Sequence, residues 1–162
     1  QNPVYSLDKT VANINMDFTN TSGKMKDITV TGKGQSDLED ILGEEAAKLG
    51  RYPAPEPHPE AGYYFRSDHF NFARVGVPAL SVSKGIDYVE KGKEYGEAED
   101  ADYRKNRYHQ PADEYNPDTW DLSGAVDDAK LLFQVGKRLA FDDKWPQWKD
   151  GSEFKSIREK KK

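Results

Sequence analysis

An imidazole stands directly after a phenol at Tyr108-His109, inside the polar, proline-bounded stretch Arg107-Tyr108-His109-Gln110-Pro111-Ala112-Asp113-Glu114. A neutral imidazole binds metal, and a phenol hydroxyl can donate to an oxyanion as charge develops on it. The pair therefore suits metal-assisted attack on a carbonyl, provided that other ligands converge on the histidine. Asn13-Ile14-Asn15-Met16-Asp17 offers one, a carboxylate at the end of an alternating apolar segment. The chain has no cysteine, which excludes disulfides, thiolate ligands and cysteine nucleophiles. Zinc bound here must use histidine and carboxylates, ligand types that suit it.

The elements that would position these groups can be read from periodicity. Ala12, Ile14, Met16 and Phe18 fall on one side of residues 11–18, and Asn13, Asn15 and Asp17 on the other, the period-two pattern of a half-buried strand that delivers Asp17 at its carboxyl end. Ile28-Thr29-Val30-Thr31 predicts a second short strand, closed by Gly32 and Gly34. Ser36-Asp37-Leu38-Glu39 has the form of a capping box and predicts a helix start. Leu38, Ile41, Leu42, Ala46 and Leu49 then keep helical spacing as far as Gly50. In this reading Glu44 and Glu45 lie on the solvated face of that helix.

Residues 52–59 contain four prolines, which remove donors and restrain their neighbours, so this stretch is an extended connection and neither helix nor inner strand. Residues 70–75 suggest a short helix and 77–82 a buried strand. Residues 85–108 are polar and rich in Gly, Tyr and charge, and read as a long surface loop of the kind that often walls a site. Leu122, Ala125, Val126, Ala129, Leu132, Phe133, Gly136 and Leu139 mark one face of a second long helix after a start signal at Asp118.

At 162 residues, the chain is long enough for one domain or a large part of one. A hydrophobic fraction of 35%, a charged fraction of 33% and a mean hydropathy of -0.96 are lean for a self-sufficient α/β domain. The formal charge of -5 and the lack of a long basic stripe disfavour a nucleic-acid partner, whose phosphates need clustered Lys and Arg. The basic end at Lys160, Lys161 and Lys162 reads as solvated. No apolar run approaches the roughly 20 residues of a membrane span. The start Gln1-Asn2-Pro3 has neither a methionine nor a signal-peptide core, so the chain is expected to begin inside a longer product or after processing.

Asn13-Ile14-Asn15-Met16-Asp17, then Phe65-Arg66-Ser67-Asp68-His69-Phe70-Asn71-Phe72 with Val75-Gly76-Val77-Pro78-Ala79-Leu80, then Tyr108-His109-Gln110-Pro111 follow one another along the chain. These three ordered segments resemble the co-catalytic zinc aminopeptidases, metallopeptidase family twenty-eight. The closing stretch from Trp145 to Lys155 looks like the C-terminus of larger, exported bacterial members. The resemblance implies an α/β fold, part of an α/β/α sandwich with a mixed twisted sheet, and a periplasmic or secreted location. It implies two zinc ions, with Asp17 binding one and His109 the other, and a peptide substrate. Tyr108 would donate to the oxyanion, and Arg66 and Asp68 would stand on the cleft wall near substrate.

The chain departs from that pattern in its ligand set. The family also needs an upstream histidine, a bridging aspartate and a Glu-Glu pair, yet the sixteen residues before Asp17 contain no His and no Glu. Gly43-Glu44-Glu45 imitates the Glu-Glu word in the wrong topological place. Residues 1–162 are therefore expected to be the C-terminal portion of a zinc peptidase catalytic domain, with the N-terminal portion as the missing partner. The chain alone would lack the general base and most metal ligands, and would bind zinc weakly or not at all. The alternatives are a non-catalytic folded module, homo-oligomeric through an unfilled sheet edge, and a glutaminyl-cyclase-like acyltransferase. Simpler roles also exist for single residues: Tyr108 as a packed aromatic, His69 as a structural histidine and His58 as a surface one.

Overall fold

The computed structural model describes residues 3–160, so Gln1, Asn2 and the last two lysines of the basic end lie outside the described residues. Four strands form one mixed sheet in the order β1-β4-β2-β3, and this α/β layering is the fold class the sequence implied. The two inner strands are β2 (Asp27–Val30) and β4 (Ala79–Lys84), paired antiparallel with Ile28 opposite Lys84 and Val30 opposite Val82. β1 (Asn13–Asn15) runs parallel to β4 on one side, and β3 (Tyr52–Pro55) parallel to β2 on the other.

The proline-rich stretch is thus an edge strand, extended as its composition required. The amides of Tyr52 and Glu56 bond inward to the carbonyls of Lys26 and Val30. Pro53 and Pro55 therefore occupy the alternate positions, whose N–H would point away from the sheet, the one place where a strand tolerates proline. β1 is shorter than the alternation suggested. Ala12 and Ile14 pack on the core, but Met16 is 58% exposed, so the strand stops where there is no core beneath it.

One sheet face carries the main core. Ile28, Val30, Leu80 and Val82 pack beneath Leu38, Leu42 and Ala46 of helix α1 (Leu38–Lys48) and Leu131, Leu132 and Val135 of helix α4 (Ser123–Phe141). Each large side chain buried this way contributes about 2 kcal/mol relative to exposure. Glu39 accepts hydrogen bonds from the amides of Gly34, Gln35 and Ser36, so the reach-back half of the capping box is formed. Its other half is not: the Ser36 hydroxyl is buried without a partner among the described residues. α1 ends as its glycine required. Gly50, at φ 68°, lets its own amide reach Ala47 O and that of Arg51 reach Ala46 O, the paired bonds of a Schellman close.

Two expectations are corrected. Glu45 is buried between α1 and α4, where Lys48 and Arg138 pair with it, while Glu44 stays exposed. Residues 85–108 are not one loop, because Gly92–Asn106 form a 15-residue helix, α3. With almost no apolar stripe, α3 relies on side-chain pairs one turn apart, such as Asp100 with Arg104 at 2.7 Å and Asn106 with Asp102 at 2.7 Å. Gly96 fixes it to the body, since a Cβ there would lie 1.8 Å from the Ile86 carbonyl oxygen.

The opposite sheet face is covered by Tyr64, Ala73, Trp148 and Phe154 packed on Ala79, with short helices α2 (His69–Ala73) and α5 (Lys155–Glu159). The Trp148 indole donates to Gly76 O at 3.0 Å, and Arg158 donates to the carbonyls of Leu7 and Thr10. His69 is fully buried there, edge-on to the Tyr64 ring at 4.6 Å, with neither ring nitrogen bonded among the described residues. Burial holds its pKa below the ordinary 6.5, against the opposing charges of Asp17 and Asp68.

The unfolded chain takes up a proton at His69 that the folded one resists, so this contribution is present above about pH 6.5 and is lost as pH falls through the lower folded value. Urea midpoints should therefore drop between about pH 7 and pH 5.5, and His69→Gln should flatten that drop. Equal slopes for the two proteins would remove His69 as the cause.

Candidate functional site

The sheet face opposite the main core changes character toward one end. Since successive side chains alternate, the strands that send Ile28, Val30, Leu80 and Val82 to the helices present Thr29, Thr31, Ser81 and Ser83 on the other side. These hydroxyl residues line a cavity of about 340 Å³, a volume in the range of small-ligand sites. Its walls come from Asp17 and Phe18 after β1, from Glu56 and Pro57 after β3, and from the segment holding Tyr63, Arg66 and Ser67. α3 adds Asp100, Tyr103 and Arg104, and the turn that follows it adds Tyr108 and His109.

Four of the five residues singled out in the sequence thus meet at one cavity: Asp17, Arg66, Tyr108 and His109. Asp17 accepts a hydrogen bond from Ser67 Oγ at 3.3 Å, and Ser67 in turn accepts one from Asn15 Nδ2 at 3.1 Å. Arg66 is exposed, its guanidinium 5.7 Å from the centre of the Tyr63 ring. Asp68 is exposed at the start of α2 and does not line the cavity.

Tyr108 and His109 are the central residues of a turn closed by the Gln110 amide on Arg107 O at 2.8 Å. His109 has φ 57°, the only positive value at a non-glycine among the described residues. A positive φ at the third residue alone is the mark of a type II turn, where glycine is usual. Histidine there costs of order 1 kcal/mol or more, and the stacked Tyr108 and His109 rings, 4.0 Å apart, hold the arrangement.

Sequence reasoning missed the contribution of α3. Arg104 donates to Asp100 at 2.7 Å and to the Tyr63 hydroxyl at 2.6 Å, which ties the helix to the Arg66 wall. Tyr103 packs against Phe18 and Tyr108 and donates to Asp113 at 2.9 Å. Burial, followed by that bond, pushes its phenol up to about 12. Lys84, at the end of β4, was missed as well. The i,i+4 charge pattern of α3 was the signal that could have revealed the helix.

A stable zinc site takes three or four protein ligands, and among the described residues no group of three His, Asp or Glu side chains is gathered to hold an ion. Asp17 and His109 give one carboxylate and one imidazole. The residues present do not make a zinc site by themselves.

An α/β chain with a hydroxyl-floored cleft, flanked by a carboxylate, an imidazole and a phenol, carries side chains that hydrolytic chemistry can use. The match to a family model agrees: residues 1–134 fit Peptidase family M28, and the chain belongs to that family, which is generally zinc-dependent. Neither the curated proteins nor the solved structures gave a match. Among the described residues no helix is long and apolar enough to cross a membrane.

Proposed function

We propose that the chain is the C-terminal part of the catalytic domain of a zinc-dependent exopeptidase that removes amino-terminal residues from peptides, and that it does not turn over alone. The observation that supports this most is the shared cavity: Asp17, Arg66, Tyr108 and His109 line one cleft in a chain of a peptidase family. In this reading the Tyr108 hydroxyl donates to the carbonyl oxygen as it becomes an oxyanion. Arg66 stands beside the peptide. Asp17 and His109 each give one ligand, and the remaining ligands and the general base come from residues outside 1–162. A periplasmic or secreted location goes with this reading.

The test uses purified chain, added zinc and a panel of aminoacyl chromogenic substrates. No turnover is expected, and calorimetry should show no tight zinc site, because two ligands fall short of a stable one. Adding the complementary segment by co-expression should restore chelator-sensitive hydrolysis. The reading fails if the isolated chain hydrolyses like an intact enzyme. It fails equally if it binds zinc stoichiometrically in a manner that His109→Ala abolishes.

A further inference from the structure

Lys84 is the one lysine lining the cavity, and its setting is unusual for an ammonium group. The side chain leaves the end of β4 and brings Nζ beside the packed pair of Phe18 and Tyr103, 6.0 Å from the centre of the first ring and 5.7 Å from that of the second. Among the described residues no carboxylate forms an ion pair with it. The acidic groups whose charge it feels, Asp100 and Glu99, are already paired with Arg104 and Arg107. Burial, with the charges of Arg107 and Arg104 adding to it, pushes its pKa down.

The other acids of the cavity are also engaged. Glu56 accepts from the Gly32 amide at 2.9 Å, and Asp17 accepts from Ser67. A partly buried ammonium without a counter-ion costs free energy unless something supplies the missing charge. A lysine used only for its stem would carry its head past the rings to water. Lys84 leaves β4 on the Val82 side, opposite Ile28, yet lines the same cavity as Ser81, Ser83 and Thr29. A cation lining a cavity of about 340 Å³ that also presents serine and threonine hydroxyls suits a small anionic group.

We propose that Lys84 is a specificity-determining residue that anchors a carboxylate of a short peptide substrate in this cavity. The proposal rests on the peptidase reading for its substrate class, and it takes that reading further: the preferred substrates are small peptides whose carboxylate lies close to the scissile bond. Two sources share this chemistry, the C-terminal carboxylate of a dipeptide and the side chain of an acidic residue. Arg66, which also has no ion pair among the described residues, lines the same cavity and adds to its positive field.

The experiment measures binding by the chain itself, so it needs no turnover. Amide-resolved NMR titrations would compare Ala-Ala with its C-terminal amide, and Ala-Glu amide with Ala-Gln amide, following the signals of Ser83, Lys84 and Tyr103. A free carboxylate in one of the two pairs should bind about 10-fold or more tightly than its neutral counterpart, the scale of a hydrogen bond to a charged group. The pair that shows the preference identifies the source. Lys84→Met should abolish the preference, and Lys84→Arg should keep part of it.

Equal affinity for acid and amide in both pairs overturns the proposal. So does a preference that survives in Lys84→Met with an unchanged thermal midpoint. If Lys84→Met does not fold, the acid-against-amide comparison in the native chain and in Lys84→Arg still decides. Acid preference with no hydrolysis after complementation would remove the peptidase reading and leave the anion site. Restored hydrolysis with no acid preference would remove only the role of Lys84.

Discussion

Tyr108→Phe in the complemented protein should lower kcat by about 10²-fold or more while KM changes little, if its hydroxyl has the proposed role of meeting the oxyanion in the transition state and not the ground-state carbonyl. The geometry makes this a clean deletion. Tyr108 is half-buried and held between the Tyr103 and His109 rings, contacts that phenylalanine preserves. The position of the turn should therefore survive the change. Steady-state kinetics on both enzymes, with metal content measured in parallel, gives the answer. An unchanged rate at full metal occupancy would reduce Tyr108 to a packing role.

Gly96→Ala should destabilise the chain by about 2 kcal/mol, although alanine is the better helix former. Propensity favours alanine by about 1 kcal/mol in a helix interior. The added Cβ, however, would fall 1.8 Å from the Ile86 carbonyl oxygen and 2.7 Å from its carbon. Those are backbone atoms that cannot rotate aside, and overpacking of this kind costs about 1–3 kcal/mol or more, so the clash wins. Relief requires α3 to move, and with it Asp100, Tyr103 and Arg104 in the cavity wall. Gly43→Ala is the control. It also lies inside a helix, but its Cβ would meet only a Pro53 ring carbon at 3.6 Å, so stability should rise by about 0.5–1 kcal/mol. Urea unfolding of the two variants should shift in opposite directions, and a shift in the same direction would discard the clash argument.

Much of this was legible in the residues because their patterns had one physical solution. Leu38, Leu42 and Ala46 ending at Gly50 could only be an amphipathic helix with a left-handed close. The prolines of residues 52–59 allowed only extended backbone on an edge. The gathering of Asp17, Arg66, Tyr108 and His109 at one cavity came from recognising ordered words and not from periodicity, which says nothing about where distant segments meet. α3 was illegible for the opposite reason. Its stability is carried by ion pairs, by the Gly96 contact and by isolated aromatic contacts of Tyr95 with Tyr88 and Tyr103 with Phe18, so no continuous apolar stripe announced it, and Gly92 and Gly96 read as loop. Lys84 shared that fate, because a lysine at a strand end looks solvated until the helix that encloses it is known. The burial of Glu45 needed Arg138 from α4, a partner 93 residues away.

Pro53 and Pro55 on β3 have a bearing on how the sheet could ever be lengthened. A strand arriving at that border would find carbonyls to donate to, but no donors at two successive outward positions, and so could form only half a ladder. The β1 border has no such block, as Asn13 turns its amide inward to Pro78 O and leaves the outward row to Ile14, an ordinary residue with both groups intact. Growth is therefore polarised: whichever polypeptide extends this sheet, a covalent neighbour or another copy, has one berth, and it adjoins the strand that leads into Asp17.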